Sequence, residues 1–176
     1  MTDEELVRCV RAGDRDAFAI LVERYAQPLT MMILRMVKDQ EDARDISQHV
    51  FLKAYERLPV FRNSSSFKTW LYKVAVNAVI DHLRKPKTAF SSGALDGLVE
   101  PSQSPAQLLE REQELHRIRE AVQGLPERQR MTLQLRMYEG MDYGQIAQIL
   151  GGRESSARGN LYEAVKALRQ KLRTKK

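Results

Sequence analysis

Residues 64–87 read SSSFKTWLYKVAVNAVIDHLRKPK. The serines suit a helix cap, and behind them Phe67, Leu71, Val74, Ala75 and Ala78 recur at spacings of three and four to make one apolar face. Val76, Val79, Ile80 and Leu83 carry apolar surface round the other side, so most of this helix is expected to be buried. A narrow stripe is left over. Along it lie Trp70, Lys73, Asn77, Asp81 and Arg84, at steps of three, four, four and three, which project from one side of a helix. An aromatic plane stacks on an unpaired base, Lys and Arg neutralise phosphates, and an amide reads a base edge. The same pattern also fits a core Trp beside an ordinary solvated face.

Upstream, Phe61 to Ser66 read FRNSSS, a polar loop. Asn63, Ser64, Ser65 and Ser66 bring small donors and acceptors that suit a flipped base and equally suit any turn. Before the loop, Asp39 opens a helix to about Leu58 with Ala43, Ile46, Val50, Ala54 and Leu58 inward and Pro59 as its stop. Its outer side carries Glu41, Asp42, Asp45, Gln48 and His49. An acidic face on a basic chain repels DNA and suits a basic protein surface; plain solvation is the alternative. The chain starts with a short helix, Thr2 to Ala12, capped by the Thr2 and Glu5 pair and stopped at Gly13. Asp14 or Asp16 then caps a helix whose face is Phe18, Leu21, Val22, Tyr25, Leu29, Met32, Ile33 and Met36, with Pro28 expected to kink or divide it.

Downstream, Thr88 to Gln107 gather Gly, Ser and Pro and lose helical periodicity, as a linker between domains does. Ser104 and Pro105 start the next helix, with Leu108, Leu109, Leu115, Ile118 and Val122 expected on its buried side up to Gly124. Pro126 to Tyr138 is a further helix, and Asp142 with Gln145 forms the capping box of a short one that ends at Leu150. Gly151 and Gly152 make a turn into a last helix from about Ser155 to Leu172, striped by Ala157, Leu161, Ala164, Val165, Leu168 and Leu172. A short helix, a glycine turn and a basic helix read as helix-turn-helix. In that arrangement the start of the second helix enters the major groove, so Ser155, Ser156, Arg158, Gly159, Asn160 and Glu163 are the candidates for base and phosphate contacts. Arg169, Lys171 and Arg173 lie further along, where the DNA backbone or solvent is the expected neighbour. The class is all-α: two small helical domains, residues 1–87 and 108–176, joined by a flexible linker, 88–107.

The totals agree with an anionic partner. The net charge is +6, and after Glu163 come six basic residues and no acidic one. Cys9 is the only cysteine, which excludes an internal disulfide and a multi-cysteine zinc site and fits a reducing cytoplasm. No signal peptide or apolar run approaching a membrane span is present, so a membrane partner is not expected. His49, His82 and His116 stand on separate helices, and no phosphate-loop, metal-ligand or nucleophile motif occurs. Neither an enzyme, a metal nor a cofactor is expected. From the residues alone, one reading is a helix-turn-helix regulator that binds duplex DNA without recruiting a polymerase.

The order of parts points further. DARDISQHVFLKAYERL followed by FRNSSSFKTWLYKVAVNAVIDHLR resembles the first conserved domain of bacterial sigma factors of the extracytoplasmic-function group. LPERQRMTLQLRMYEGMDYGQIAQILG followed by a basic helix resembles the second. The resemblance implies a subunit that binds core RNA polymerase and directs it to promoter DNA. It implies that Asp42, Asp45, Gln48 and His49 dock on the polymerase. Asn63 to Ser66 with Trp70, Lys73, Asn77 and Arg84 would hold the minus-ten element as single strand, and Arg158 to Glu163 would read the minus-35 element as duplex. An anti-sigma factor is the implied inhibitor. The sequence departs from the group at His49, where a carboxylate is usual, at Val76, where a basic residue is frequent, and at Gly159 within the recognition helix. A linker of this length reaches about 66 Å when extended and spans about 25 Å as a coil. Promoter elements two duplex turns apart are separated by roughly 70 Å, so the reach suffices only with the domains' own width added and the linker drawn out.

Overall fold

The computed structural model describes residues 1–61, 65–84 and 105–173, the side chains of 105–108 excepted. The described secondary structure is helical throughout, in accord with the expected all-α class. It forms two units, one built on the helices before residue 85 and the other on those after residue 104, with residues 148–150 grouped with the first.

In the first unit α1 (Asp3–Arg11) starts as the sequence predicts: the Glu5 N–H donates to Thr2 Oγ1 at 3.3 Å and the Thr2 N–H to Glu5 Oε2 at 2.7 Å. Asp14 caps α2 (Arg15–Val37) by accepting from the Asp16 and Ala17 N–H groups. Of the two outcomes expected at Pro28, a kink or a division, the division does not occur: α2 runs through it unbroken. The proline sits on the exposed side, where the Arg24 carbonyl deprived of its donor faces water, so the loss is tolerated. Helix α2 ends on Lys38, held left-handed at φ 67°, and α3 (Gln40–Arg57) starts from the Asp39 cap. A 3-10 turn at Leu58–Val60 follows, its Leu58 carbonyl accepting from Arg11 Nε at 3.2 Å.

Helix α4 (Phe67–Arg84) packs against α2 and α3. Its Ser66 cap accepts from the Thr69 N–H at 3.2 Å. The expected apolar face is rotated. Leu71, Tyr72, Ala75, Val76 and Val79 are fully enclosed, whereas Val74 and Ala78 are only half-buried. Val76 and Val79 lie on the enclosed side, while Val74 and Ala78 border the polar stripe, lining one groove with Lys73, Asn77 and Asp81. Val76, which stands where a basic residue is frequent in the resembled group, is a core residue with no exposure.

Tyr25 of α2 donates its hydroxyl to Asp3, which also receives Arg24. Burial, then the hydrogen bond and charge of Asp3, push the phenol well above its ordinary range. A raised folded-state pKa gives stability that is complete below the unfolded value, about pH 10, and lost as pH rises through the folded one. The advantage of the native chain over Tyr25→Phe in thermal unfolding is therefore expected to shrink as pH rises above about 10; a gap that is constant with pH would contradict this.

The second unit holds α5 (Pro105–Gln123), α6 (Glu127–Met137), α7 (Tyr143–Leu150) up to Ala147, and α8 (Glu154–Arg173). Both α5 and α6 pack on α8 around Ala121, Leu125, Met131, Leu135, Ile146, Ala157 and Ala164. The Asp142–Gln145 capping box forms as predicted, with bonds of 2.8 and 3.0 Å. Gly151 takes φ 66° in the turn before α8, a conformation that an L side chain resists. Leu109, Leu115 and Ile118 are exposed, against expectation, and Val122 is half-buried. Burial of α5 is concentrated at its end, at Ala121 and the following Leu125. Leu172 is exposed too.

Candidate nucleic-acid interface

On the first unit, α4 presents Lys73, Asn77, Asp81 and Arg84 to solvent, as its spacing predicts. Trp70, Lys73, Val74, Asn77, Ala78 and Asp81 line a groove of about 240 Å³, and Lys53 and Arg57 of α3 close its other side. The two basic residues of α3 were not singled out from the sequence, although their spacing of four puts them on one helix face. Trp70 is half-buried, its ring 4.9 Å from Phe61 and 5.8 Å from Phe67 between centroids. These contacts fix the indole while part of it stays open. Ser65 is half-buried; Ser66 is exposed but uses its Oγ as the α4 cap and in a 2.9 Å bond with Thr69 Oγ1. Asn63 and Ser64 lie outside the described residues.

The outer face of α3 is arranged differently. Asp45, Gln48 and His49 are exposed, whereas Asp42 is half-buried and its Oδ2 lies 3.2 Å from His82 Nε2 of α4. Beside Gln48 an apolar groove of about 720 Å³ runs between α2 and α3, lined by Phe18, Val22, Phe51, Leu52 and Tyr55. Leu52 is 65% exposed. The one charged residue that lines this groove is Arg15 of α2, and exposed apolar surface of this kind suits a protein partner better than a phosphate backbone.

On the second unit, Ser155, Ser156, Arg158, Gly159 and Glu163 are exposed on α8. Asn160 is half-buried, on the side of buried Ala157 and Ala164. A Cβ at Gly159 would meet nothing within 4 Å, so packing does not require glycine there. A groove of about 820 Å³ follows α8 and is lined by Tyr143, Arg158, Tyr162, Lys166, Arg169 and Arg173. Tyr162 is 67% exposed and was missed in the sequence; the signal was its place between Arg158 and Lys166, each four residues away. Arg158 binds Glu154 at 2.6 Å, which pushes the guanidinium further above its ordinary value. Among the described residues, no group of three His, Cys, Asp or Glu could hold a metal ion, and no helix is long and apolar enough to cross a membrane.

These two surfaces coincide with two family regions. Residues 21–88 match sigma-70 region 2, and residues 115–168 match sigma-70, region 4. The RNA polymerase sigma-H factor of Pseudomonas aeruginosa is 34% identical over 94% of this chain and 91% of its own length. The ECF RNA polymerase sigma-E factor of Escherichia coli K12 is 32% identical over 98% of this chain and 95% of its own. The chain belongs to the sigma-70 family of RNA polymerase sigma factors. Within that family its group is the extracytoplasmic-function one, as the motifs led us to expect. Two solved structures share the fold. CnrH, in complex with the cytosolic domain of CnrY, superposes with a TM-score of 0.75 at 21% identity, covering 99% of each chain. The sigma factor RpoE, in complex with the anti-sigma factor NepR from Bartonella quintana, does so at 0.70 and 18%, over 90% of this chain and 98% of the other.

Proposed function

We propose that this chain binds core RNA polymerase through Asp42, Asp45, Gln48 and His49 on α3, holds the minus-ten element as single strand along α4, and reads the minus-35 element as duplex with α8. The observation that carries this reading is the pairing of two unlike surfaces in one chain. The α4 groove offers a half-open indole among Lys53, Arg57 and Lys73, the chemistry of stacked, unpaired bases. The α8 surface offers a basic helix after a glycine turn, the chemistry of duplex readout. The role is that of an initiation subunit rather than an enzyme, and it belongs in the cytoplasm, where polymerase and promoter meet. RpoE of the second solved structure is bound to the anti-sigma factor NepR, so an anti-sigma partner that covers the same surfaces is part of the proposal.

Because a linker of about 20 residues, even with the domains' own width added, lets the chain reach both promoter elements only when extended, polymerase has to hold the domains apart. Fluorescence anisotropy on a promoter duplex is expected to give weak, salt-sensitive binding by the chain alone and tight binding once core polymerase is added. Tight, sequence-specific binding without polymerase would contradict the proposal.

A further inference from the structure

Arg158 is a long, exposed side chain, yet it is held from two directions. Its Cζ lies 4.8 Å from the centroid of the Tyr143 ring on α7, while its Nη2 and Nε donate to Glu154 Oε1 at 2.6 and 3.3 Å. The Tyr143 ring is itself engaged by Arg136 of α6, whose Cζ is 5.0 Å from the centroid and whose Nη1 donates to the Met141 carbonyl at 2.8 Å. Three helices thus meet at one phenol ring, and the guanidinium planted on it belongs to the helix assigned to duplex readout.

We propose that Tyr143 and Glu154 are positioning residues for Arg158, the ring a platform and the carboxylate a clasp that fix the guanidinium before DNA arrives. The proposal rests on the reading of α8 as the duplex-reading helix. A free arginine loses rotamer freedom when it docks on a base; one already stacked and hydrogen-bonded loses less, and it approaches in a single orientation. With Nε and Nη2 turned to Glu154, the Nη1 edge is the one offered outward. The platform then sharpens discrimination at the base pair that Arg158 meets, rather than adding affinity along the whole element.

The test is run-off transcription by the reconstituted holoenzyme on promoters in which each minus-35 base pair is changed singly, with Arg158→Ala, Tyr143→Leu, Tyr143→Phe and Glu154→Gln. Arg158→Ala should flatten the preference at one position. Tyr143→Leu should reduce the preference at that same position by about two- to five-fold, the scale of one exposed cation–π contact, and Tyr143→Phe should retain it because the ring face remains. Glu154→Gln should flatten that position and no other. The positioning role is overturned if Tyr143→Leu lowers transcription equally on every promoter, which is the mark of a purely structural or backbone-contacting residue. It is overturned equally if Tyr143→Phe behaves like Tyr143→Leu. A flat response to Arg158→Ala would instead sink the duplex-reading assignment of α8, and the positioning role with it.

Discussion

Trp70→Ala should lower open-complex formation by roughly five-fold to a hundred-fold, since one base stacked on an aromatic side chain is worth about 1–3 kcal/mol. Permanganate reactivity of unpaired thymines in the minus-ten element is the readout, with the holoenzyme on a fixed promoter. The indole also packs against Phe61 and Phe67, so part of the loss will come from the loosened start of α4. Lys73→Ala separates the two causes: Lys73 is exposed, and its removal should leave stability unchanged while lowering opening and reducing the salt dependence by about one phosphate contact. Unchanged permanganate reactivity in both variants would remove α4 from strand opening.

The neighbouring residue should behave in the opposite way. Leu71 has no exposure and lies on the side of α4 that packs against the other helices. Leu71→Ala should destabilise the first unit by about 2–5 kcal/mol, from lost transfer energy plus the cavity left behind. Against a whole-domain stability of about 5–15 kcal/mol, that is enough to depopulate the folded unit at moderate temperature. Denaturant unfolding followed by circular dichroism measures it. A change below about 1 kcal/mol would mean that α4 is not the centre of this core.

Much of this was legible because caps are local. Thr2, Asp14, Asp39, Ser66 and Asp142 each bond a backbone N–H two or three residues away, so their roles follow from short spacings. The Gly151 turn was equally readable. Side-chain burial was less so, because it depends on which helices arrive. Tyr72 is fully enclosed although its neighbours gave no reason to prefer it to Val74, and the apolar positions of α5 found no cover at 109, 115 and 118. The left-handed Lys38 has no sequence signal of its own.

The proposed sites divide along the same line. The exposed stripe of Lys73, Asn77, Asp81 and Arg84 came from one helix and its period alone. Lys53 and Arg57 joined its groove through α3, Asp42 met His82 across two helices, and Arg158 met Tyr143 across another two. Each of these depends on packing between segments distant in the chain, which no periodicity within one segment encodes.

The most direct measurement is run-off transcription with purified core RNA polymerase on a library of promoter fragments, with and without this protein. Specific transcripts that depend on the added chain and disappear with Trp70→Ala are the expected result. Protein-dependent binding to duplex fragments with no transcript at all would contradict it and point to a regulator that works without recruiting the polymerase.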